Sequence, residues 1–250
     1  TLLSPRPLAT GIARQLPPGS NAQAKPAEAS PVGEVVEATI RTGDESRAMT
    51  APGTHRANKR FVRQVLAALA EASPGDLTRR VADAYHPDAR WRGSHPINEA
   101  NGAEAIAEAV WRPLLESFPD LERRDDILMA GGYEGADLVG AVGHYCGTFR
   151  RDWLTIPATG RPIFLRYGEF HRVVAGKIAQ STVLIDVLDL MRQAGVWPMA
   201  PSLGVEGRWP GPITGDGVLL EEPDPGLSAR SLAQALAMQA TLGAYDDEAR

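Results

Sequence analysis

The feature that most constrains the fold is a change in the period of the apolar residues near Leu121. Before it, apolar residues recur at helical spacing in Phe61–Leu69 and again in Ile106–Leu115. After it, three stretches have the pattern of strands: Leu138–Phe149, Ile163–Val174 and Ile178–Ile185. Helices followed by a run of antiparallel strands predict an α+β fold, with helices packed on one face of a curved sheet. A pocket is expected between the sheet and the helices.

The glycine positions predict where several of these strands end. Ala175-Gly176 is expected to form a hairpin turn between the last two strands. Ile127–Ala130 is predicted as a short strand that ends at a Gly131-Gly132 turn. Pro113 is expected to kink the third helix because proline cannot donate a backbone hydrogen bond.

Composition divides the chain into four segments. Residues 1–57 lack sustained periodicity and are predicted to be a disordered or irregular leader. The alternative is a transit peptide, which we favour less because these residues lack the pattern of an amphipathic helix. Residues 58–198 are expected to form one domain. Residues 199–226 are rich in proline and glycine and are predicted to be an extended linker. Residues 227–250 regain a helical pattern.

Charge and cysteine content exclude several classes of partner. The chain has 250 residues and a net charge of −5, so it lacks the basic surface that nucleic-acid binding requires. No apolar run approaches the roughly 18 residues that span a bilayer. The single cysteine, Cys146, excludes an internal disulfide and fits a reducing compartment, so a cytoplasmic location is expected. The histidines and carboxylates lack the close spacing of metal ligands, so no metal is predicted.

Five short motifs, in this order, resemble the SnoaL-like polyketide (ester) cyclase family of the nuclear transport factor 2-like superfamily. In the family they are an entry to the first strand, a Gly-x-His-x-Gly strand, a Pro-Thr-Gly loop, a Gly-Lys-Ile hairpin and an aspartate followed by a terminal Gln-Leu-Gly. In this chain they are Ala84-Tyr85-His86-Pro87-Asp88, Gly143-His144-Tyr145-Cys146-Gly147, Ile156-Pro157-Ala158-Thr159-Gly160-Arg161, Gly176-Lys177-Ile178, and Asp186 with Arg192-Gln193-Ala194-Gly195.

The resemblance implies a cone-shaped barrel whose internal pocket binds a small apolar, polyketide-like molecule. It implies no cofactor and no metal, and it implies homodimers formed through the open face of the sheet. Longer relatives carry two such domains, so residues 227–250 look like the start of a truncated second copy. That helix is expected to dock on the first domain, to pair with another chain or to stay loose.

The cyclases of this family use a pocket aspartate and a pocket histidine in acid/base chemistry. Val183 stands at the position of that catalytic aspartate, and Glu169 stands at the position of the histidine. The next family aspartate is present as Asp186. The family's catalytic set is therefore not carried over residue by residue.

Alternation along one strand places Tyr167, Glu169 and His171 on a single face. If that face points inward, Glu169 and His171 form a base and its orienting partner; if it points outward, they are a solvated pair. Asp186 is either a general base in apolar surroundings or the N-cap of the helix that follows. Arg166 is a candidate partner for either carboxylate or for an anionic substrate.

The other candidate substrate-binding residues are Trp91, His95, Tyr145, Tyr167 and Val183. The two tyrosines are expected to donate hydrogen bonds to an oxyanion. His95 is either a residue of the pocket mouth or, as we favour, a turn histidine. Trp91 is assigned to the core or to the pocket wall.

The function expected from the sequence is binding of a small apolar molecule, with cyclisation, isomerisation or hydrolysis by acid/base chemistry. Asp186, Glu169 and His171 are the candidate catalytic residues. The alternative is a non-catalytic ligand-binding or dimerisation module of the same fold. A pocket filled by protein side chains would favour a structural role.

Overall fold

The structure is a computed structural model that describes residues 52–201, 203–204, 211–221 and 224–242. Residues 1–51 of the predicted leader therefore lie outside the described residues, and its last six residues, 52–57, lie within them. Within the described part the chain forms helices followed by a curved sheet, the α+β architecture that the change of period predicts.

Helices come first in the chain. Helix α1 is Pro52–Ala70 and helix α2 is Leu77–Ala84. Helix α3, Ala103–Ile106, continues through a π-helical turn, Ala107–Trp111, into helix α4, Arg112–Ser117. Pro113 lies in the first turn of α4, where a helix tolerates the missing backbone donor of proline.

The strands and the closing helices have the following bounds: β1 Tyr85–Gly93, β2 Glu99–Asn101, β3 Glu122–Tyr133, β4 Ala136–Thr148, β5 Pro162–Val174, β6 Lys177–Ile185, α5 Val187–Gln193 and α6 Pro225–Leu242. The six strands form one sheet in the order β2-β1-β6-β5-β4-β3. Strands β1 and β6 run parallel, and every other neighbouring pair is antiparallel. Strand β3 is thus an edge of an open sheet.

The Gly131-Gly132 turn prediction is wrong. Strand β3 continues through both glycines, which pair with Leu138 and Asp137 on β4. The turn lies at Glu134 and Gly135, both with positive φ. The strand also begins five residues before Ile127, in a run of charged residues that the apolar pattern does not identify as a strand. The Ala175-Gly176 hairpin turn is present, with positive φ at both residues.

The core lies between the inner face of the sheet and the helices. Helix α1 contributes Val62, Leu66 and Leu69, all at most 1% exposed, and packs on β3 and β4. The sheet supplies alternate residues: along β5 the odd-numbered residues from Ile163 to Val173 are buried, whereas Phe164 and Phe170 are exposed on the outer face.

Two C-terminal segments are described. Part of the predicted linker, residues 211–221, contacts the sheet, with Val218 and Leu220 packed against the core. The sequence did not predict this packing. Helix α6 is exposed at every residue, so it does not dock on the domain within the described part of the chain.

Candidate functional site

Strand β5 directs Tyr167, Glu169 and His171 into the interior. They are 3%, 4% and 1% exposed. Of the two alternatives that the sequence left open for this face, the structure has the inward one. The Glu169 carboxylate lies 3.4 Å from His171 Nε2 (Oε1 to nitrogen), so the two groups are brought together.

Arg123 is the partner that the sequence analysis missed. Its side chain, from strand β3, is fully buried and forms ion pairs with Glu169 and with Asp125, the latter at 2.7 Å. Arg123 Nη1 donates to the Tyr145 hydroxyl at 3.1 Å, and its guanidinium lies 4.4 Å from the Tyr167 ring centroid. The residues around it, Glu122 to Asp126, have the pattern of a solvated charge run. Alternation from buried Leu121 is the signal that would have identified Arg123 and Asp125 as inward-facing.

Asp125 links this buried group to the protein surface. It accepts a hydrogen bond from the Tyr167 hydroxyl at 2.7 Å, and its Oδ2 lies 3.5 Å from Nε of half-exposed Arg63 on α1. A break in register between Asp125 and Ile127 marks a β-bulge directly after this residue. Gly143, opposite Asp125 on β4, leaves room for the Tyr167 hydroxyl: a Cβ there would lie 2.6 Å from it.

The charges set the protonation of Glu169. Burial alone would raise the pKa of Glu169, but the Arg123 guanidinium outweighs it and, with His171, lowers the pKa to about 2. Glu169 is therefore a carboxylate at neutral pH. An anion of such low basicity is a weak proton acceptor, which does not fit the general base expected from the sequence.

Both nitrogens of His171 face protein groups. Nε2 faces Glu169, and Nδ1 lies 2.8 Å from Ser181 Oγ. With the hydrogen on Nε2, the Ser181 hydroxyl donates to Nδ1, a tautomer assigned from the partners. Ser181 also lies 3.5 Å from the Tyr85 hydroxyl, and burial raises the pKa of Tyr85 to about 12.

The other expected pocket residues pack around this cluster. Tyr145 and Tyr167 have ring centroids 4.8 Å apart, and burial raises the pKa of both hydroxyls. Val183 is 6% exposed and pairs in register with Glu169. Trp91 is 2% exposed, and its ring covers Gly93, which makes it a core residue. These buried side chains surround the Glu169–His171 pair within the described residues.

Asp186 and Arg166 lie apart from the cluster. Asp186 Oδ1 accepts a hydrogen bond from Asp189 N at 2.8 Å, so Asp186 is the N-cap of α5. Its Oδ2 is 2.5 Å from Arg166 Nη2, and its side chain is 34% exposed. Arg166 is on the opposite face of β5 from Glu169, because the two lie three positions apart on the strand. Of the two alternatives that the sequence left open for Asp186, the structure has the N-cap. His95 is exposed in the turn between β1 and β2.

Two hollows lie near the domain's helices. One, of 510 Å³, opens between α1 and β3. We call it the α1–β3 cleft; it is lined by Arg60, Arg63, Gln64, Ala67, Glu122, Arg123, Arg124, Asp125 and Leu220. The other, of 770 Å³, lies between the end of α1, the start of α2, helix α4 and the residues after β4, and includes none of the predicted site residues. Only the first reaches the buried charge cluster.

The described residues hold no cluster suited to a metal ion and no helix suited to a bilayer. Across them, His, Cys, Asp and Glu form no group of three or more arranged to hold a metal ion. None of the helices in that same part of the chain combines the length and apolarity that crossing a bilayer requires.

The family model of SnoaL-like polyketide cyclases matches residues 61–194, more than half of the chain. The chain belongs to the SnoaL-like polyketide cyclase family. The matched residues include the Arg123–Glu169–His171 cluster and most of the α1–β3 cleft of this SnoaL-like domain. No curated protein matches the chain.

The SnoaL-like domain is also similar to solved structures. One is a protein from Jannaschia sp. CCS1 described as a SnoaL-like polyketide cyclase, with 19% identity, a TM-score of 0.48 and coverage of 63% of this chain and 100% of that one. Another is TsrD from Streptomyces laurentii, with 24% identity, a TM-score of 0.47, and coverage of 56% and 97%. A third is an NTF2-like protein from Burkholderia thailandensis, with 28% identity, a TM-score of 0.41, and coverage of 59% and 98%.

Proposed function

We propose that this SnoaL-like domain binds a small oxygenated molecule in the α1–β3 cleft and performs no acid/base catalysis at Glu169 and His171. The observation that carries the proposal is the pairing of Arg63 and Asp125 at the cleft. A half-exposed guanidinium and a carboxylate 3.5 Å apart can bind an acceptor oxygen and a hydroxyl of the same ligand.

The size and charge of the cleft support this ligand class. Its volume of 510 Å³ lies within the range of small-molecule sites. Two arginines of its lining, Arg60 and Arg63, are about half exposed on α1. Their guanidinium groups keep donors for a carboxylate or a carbonyl oxygen of a ligand beside the ion pairs that they form with Glu221 and Asp125. The apolar part of the ligand would contact Ala67 on α1.

The cluster behind the cleft supports binding over catalysis. Glu169 is held ionised by Arg123, and both nitrogens of His171 face protein groups. Val183, at the position of the family's catalytic aspartate, cannot transfer a proton. The cluster instead holds Asp125 in place from behind, which pre-organises the cleft for its ligand.

The test is binding of anilinonaphthalene sulfonate, an aromatic anion, followed by displacement with a panel of small hydroxy acids. Arg63→Gln should weaken probe binding roughly tenfold, the effect of losing one charge-assisted hydrogen bond. Arg79→Gln is the matched control, because Arg79 is an exposed arginine on α2. Equal affinity of the wild type and Arg63→Gln would refute the proposal.

A second candidate function rests on Asp125. Its carboxylate lines the cleft but is 4% exposed and paired with Arg63, so it would meet a ligand as a proton acceptor only where the ligand displaces Arg63 from Oδ2. Acid/base turnover would then centre on Asp125 instead of Glu169. Deuterium exchange at the carbon next to a ligand carbonyl, present in the wild type and absent in Asp125→Asn, would support this alternative. Absence of exchange in the wild type, with binding retained, leaves the binding function.

A further inference from the structure

Residues 211–221, which we call the strap, lie along the free edge of the sheet. Leu128 N on β3 donates to Gly217 O at 2.8 Å, and Leu128 forms a parallel bridge with Val218. Val218 and Leu220 are half-buried against the core. The strap therefore adds a short extended segment to an edge that would otherwise present unpaired backbone groups.

The strap also binds helix α1 across the mouth of the α1–β3 cleft. Lys59 Nζ donates to Leu219 O at 2.5 Å, and Arg60 Nη2 donates to Leu220 O at 3.2 Å. The Arg60 guanidinium is 3.8 Å from the Glu221 carboxylate. Leu220 itself lines the cleft. The strap thus joins the two walls of the cleft and engages two cations beside its opening.

A close backbone approach at Gly217 fixes the position of the strap. A Cβ at this residue would lie 2.1 Å from Asp126 O and 2.8 Å from Pro212 Cγ. Gly211 is different, since a Cβ there would meet its nearest atom, of Asp126, at 3.6 Å, an ordinary contact. Of these two glycines, Gly217 is the one that the contact of the strap with β3 requires.

We propose that the strap is an autoinhibitory lid that competes with the ligand of the α1–β3 cleft for Arg60. This inference rests on the proposed binding function. The carbonyl oxygen of Leu220 accepts a hydrogen bond from Arg60 that an anionic ligand would accept, and the Glu221 carboxylate offsets the positive charge of Arg60. A segment held by few hydrogen bonds and two half-buried side chains opens at lower cost than the core strands.

The experiment compares Gly217→Ala with Gly211→Ala in the full chain. Gly217→Ala should displace the strap, so the Leu128 amide should exchange its hydrogen at least about tenfold faster. Anilinonaphthalene sulfonate should then bind about three- to tenfold more tightly, because displacing the strap no longer costs part of the binding free energy. Gly211→Ala should match the wild type in both measurements. Val218→Asp, which removes an apolar anchor by a different route, should reproduce Gly217→Ala.

Each outcome separates the lid from the binding function. Unchanged Leu128 exchange in both displacing variants would overturn the docked strap. Faster exchange with equal or weaker probe binding would overturn the competition while leaving the proposed function intact. Probe binding that occurs only in the displaced variants would support the lid and the binding function together. Absence of probe binding in every protein would overturn the proposed function and the competition, while exchange would still report whether the strap is docked.

Discussion

Arg123 on β3 forms a buried ion pair with Glu169 on β5, although strand β4 lies between these two strands. The arginine reaches across by lying over the Tyr167 ring, and its remaining donors bind Asp125 and Tyr145. Two carboxylates and one guanidinium are thus fixed together in the interior. This arrangement decides the protonation of Glu169 and connects it to the cleft.

Replacing Arg123 by methionine should destabilise the protein strongly. The substitution leaves the buried Glu169 carboxylate without its main cation, and breaking a buried pair in this way costs about 3–5 kcal/mol. Chemical denaturation gives the free energy of unfolding directly. The double variant Arg123→Met with Glu169→Gln should recover a substantial part of the loss.

Arg124→Met is the matched control for this prediction. Arg124 is the next residue, its side chain is 51% exposed, and it pairs with Glu122 on the outer face. Little change in the free energy of unfolding is expected. Similar losses of unfolding free energy in both variants would show that the buried ion pair of Arg123 stabilises the protein no more than the exposed pair of Arg124 does.

Acid should remove the contribution of Glu169 in a defined pH window. Its folded pKa of about 2 is below the ordinary value of 4.5, so between these values the unfolded chain binds the proton and the folded one does not. The contribution is therefore complete above about pH 4.5 and falls as pH decreases toward 2. The difference in unfolding free energy between wild type and Glu169→Gln should shrink over this window. The measurement covers the range from roughly pH 6 to pH 2.5. A difference in unfolding free energy that stays constant over this range would contradict the ion pair of Glu169 with Arg123.

Substitution of Asp186 should affect stability through helix α5. Asp186→Ala removes the N-cap and should cost about 1 kcal/mol, whereas Asp186→Asn keeps a capping oxygen and should cost less. Thermal unfolding measures both. Because Asp186 lies apart from the α1–β3 cleft, neither variant should change the affinity for anilinonaphthalene sulfonate. Loss of binding in Asp186→Asn with unchanged stability would restore Asp186 as a site residue.

A second copy of the chain is the partner expected at the outer face of the sheet. Phe164, Phe170 and Leu184 are 51%, 56% and 69% exposed there, a concentration of large apolar side chains that water would otherwise solvate. Sedimentation should give a dimer for the wild type. Phe170→Glu should shift it toward the monomer without lowering the melting temperature of the domain. A monomeric wild type would refute the expectation.

Local patterns along the chain are sufficient to predict the layers of this protein and the faces of its strands. The change of period near Leu121 separates the helices from the sheet, and strict alternation places Tyr167, Glu169 and His171 on one side of β5. Ala175-Gly176 also defines its hairpin locally, since the turn requires positive φ at both residues. These features depend on neighbours a few residues apart, which a single sequence displays.

Which charged side chains contact one another depends on the three-dimensional fold. Arg123 lies in a run of charges that resembles a solvated surface, and its inward direction depends on its place in the sheet and on the bulge after Asp125. Asp186 has the sequence surroundings of a buried base, yet the start of α5 uses it as a cap. The strap likewise meets α1 and β3 from far along the chain. Such contacts depend on strand register and long-range packing, which the local periodicity of a sequence does not encode.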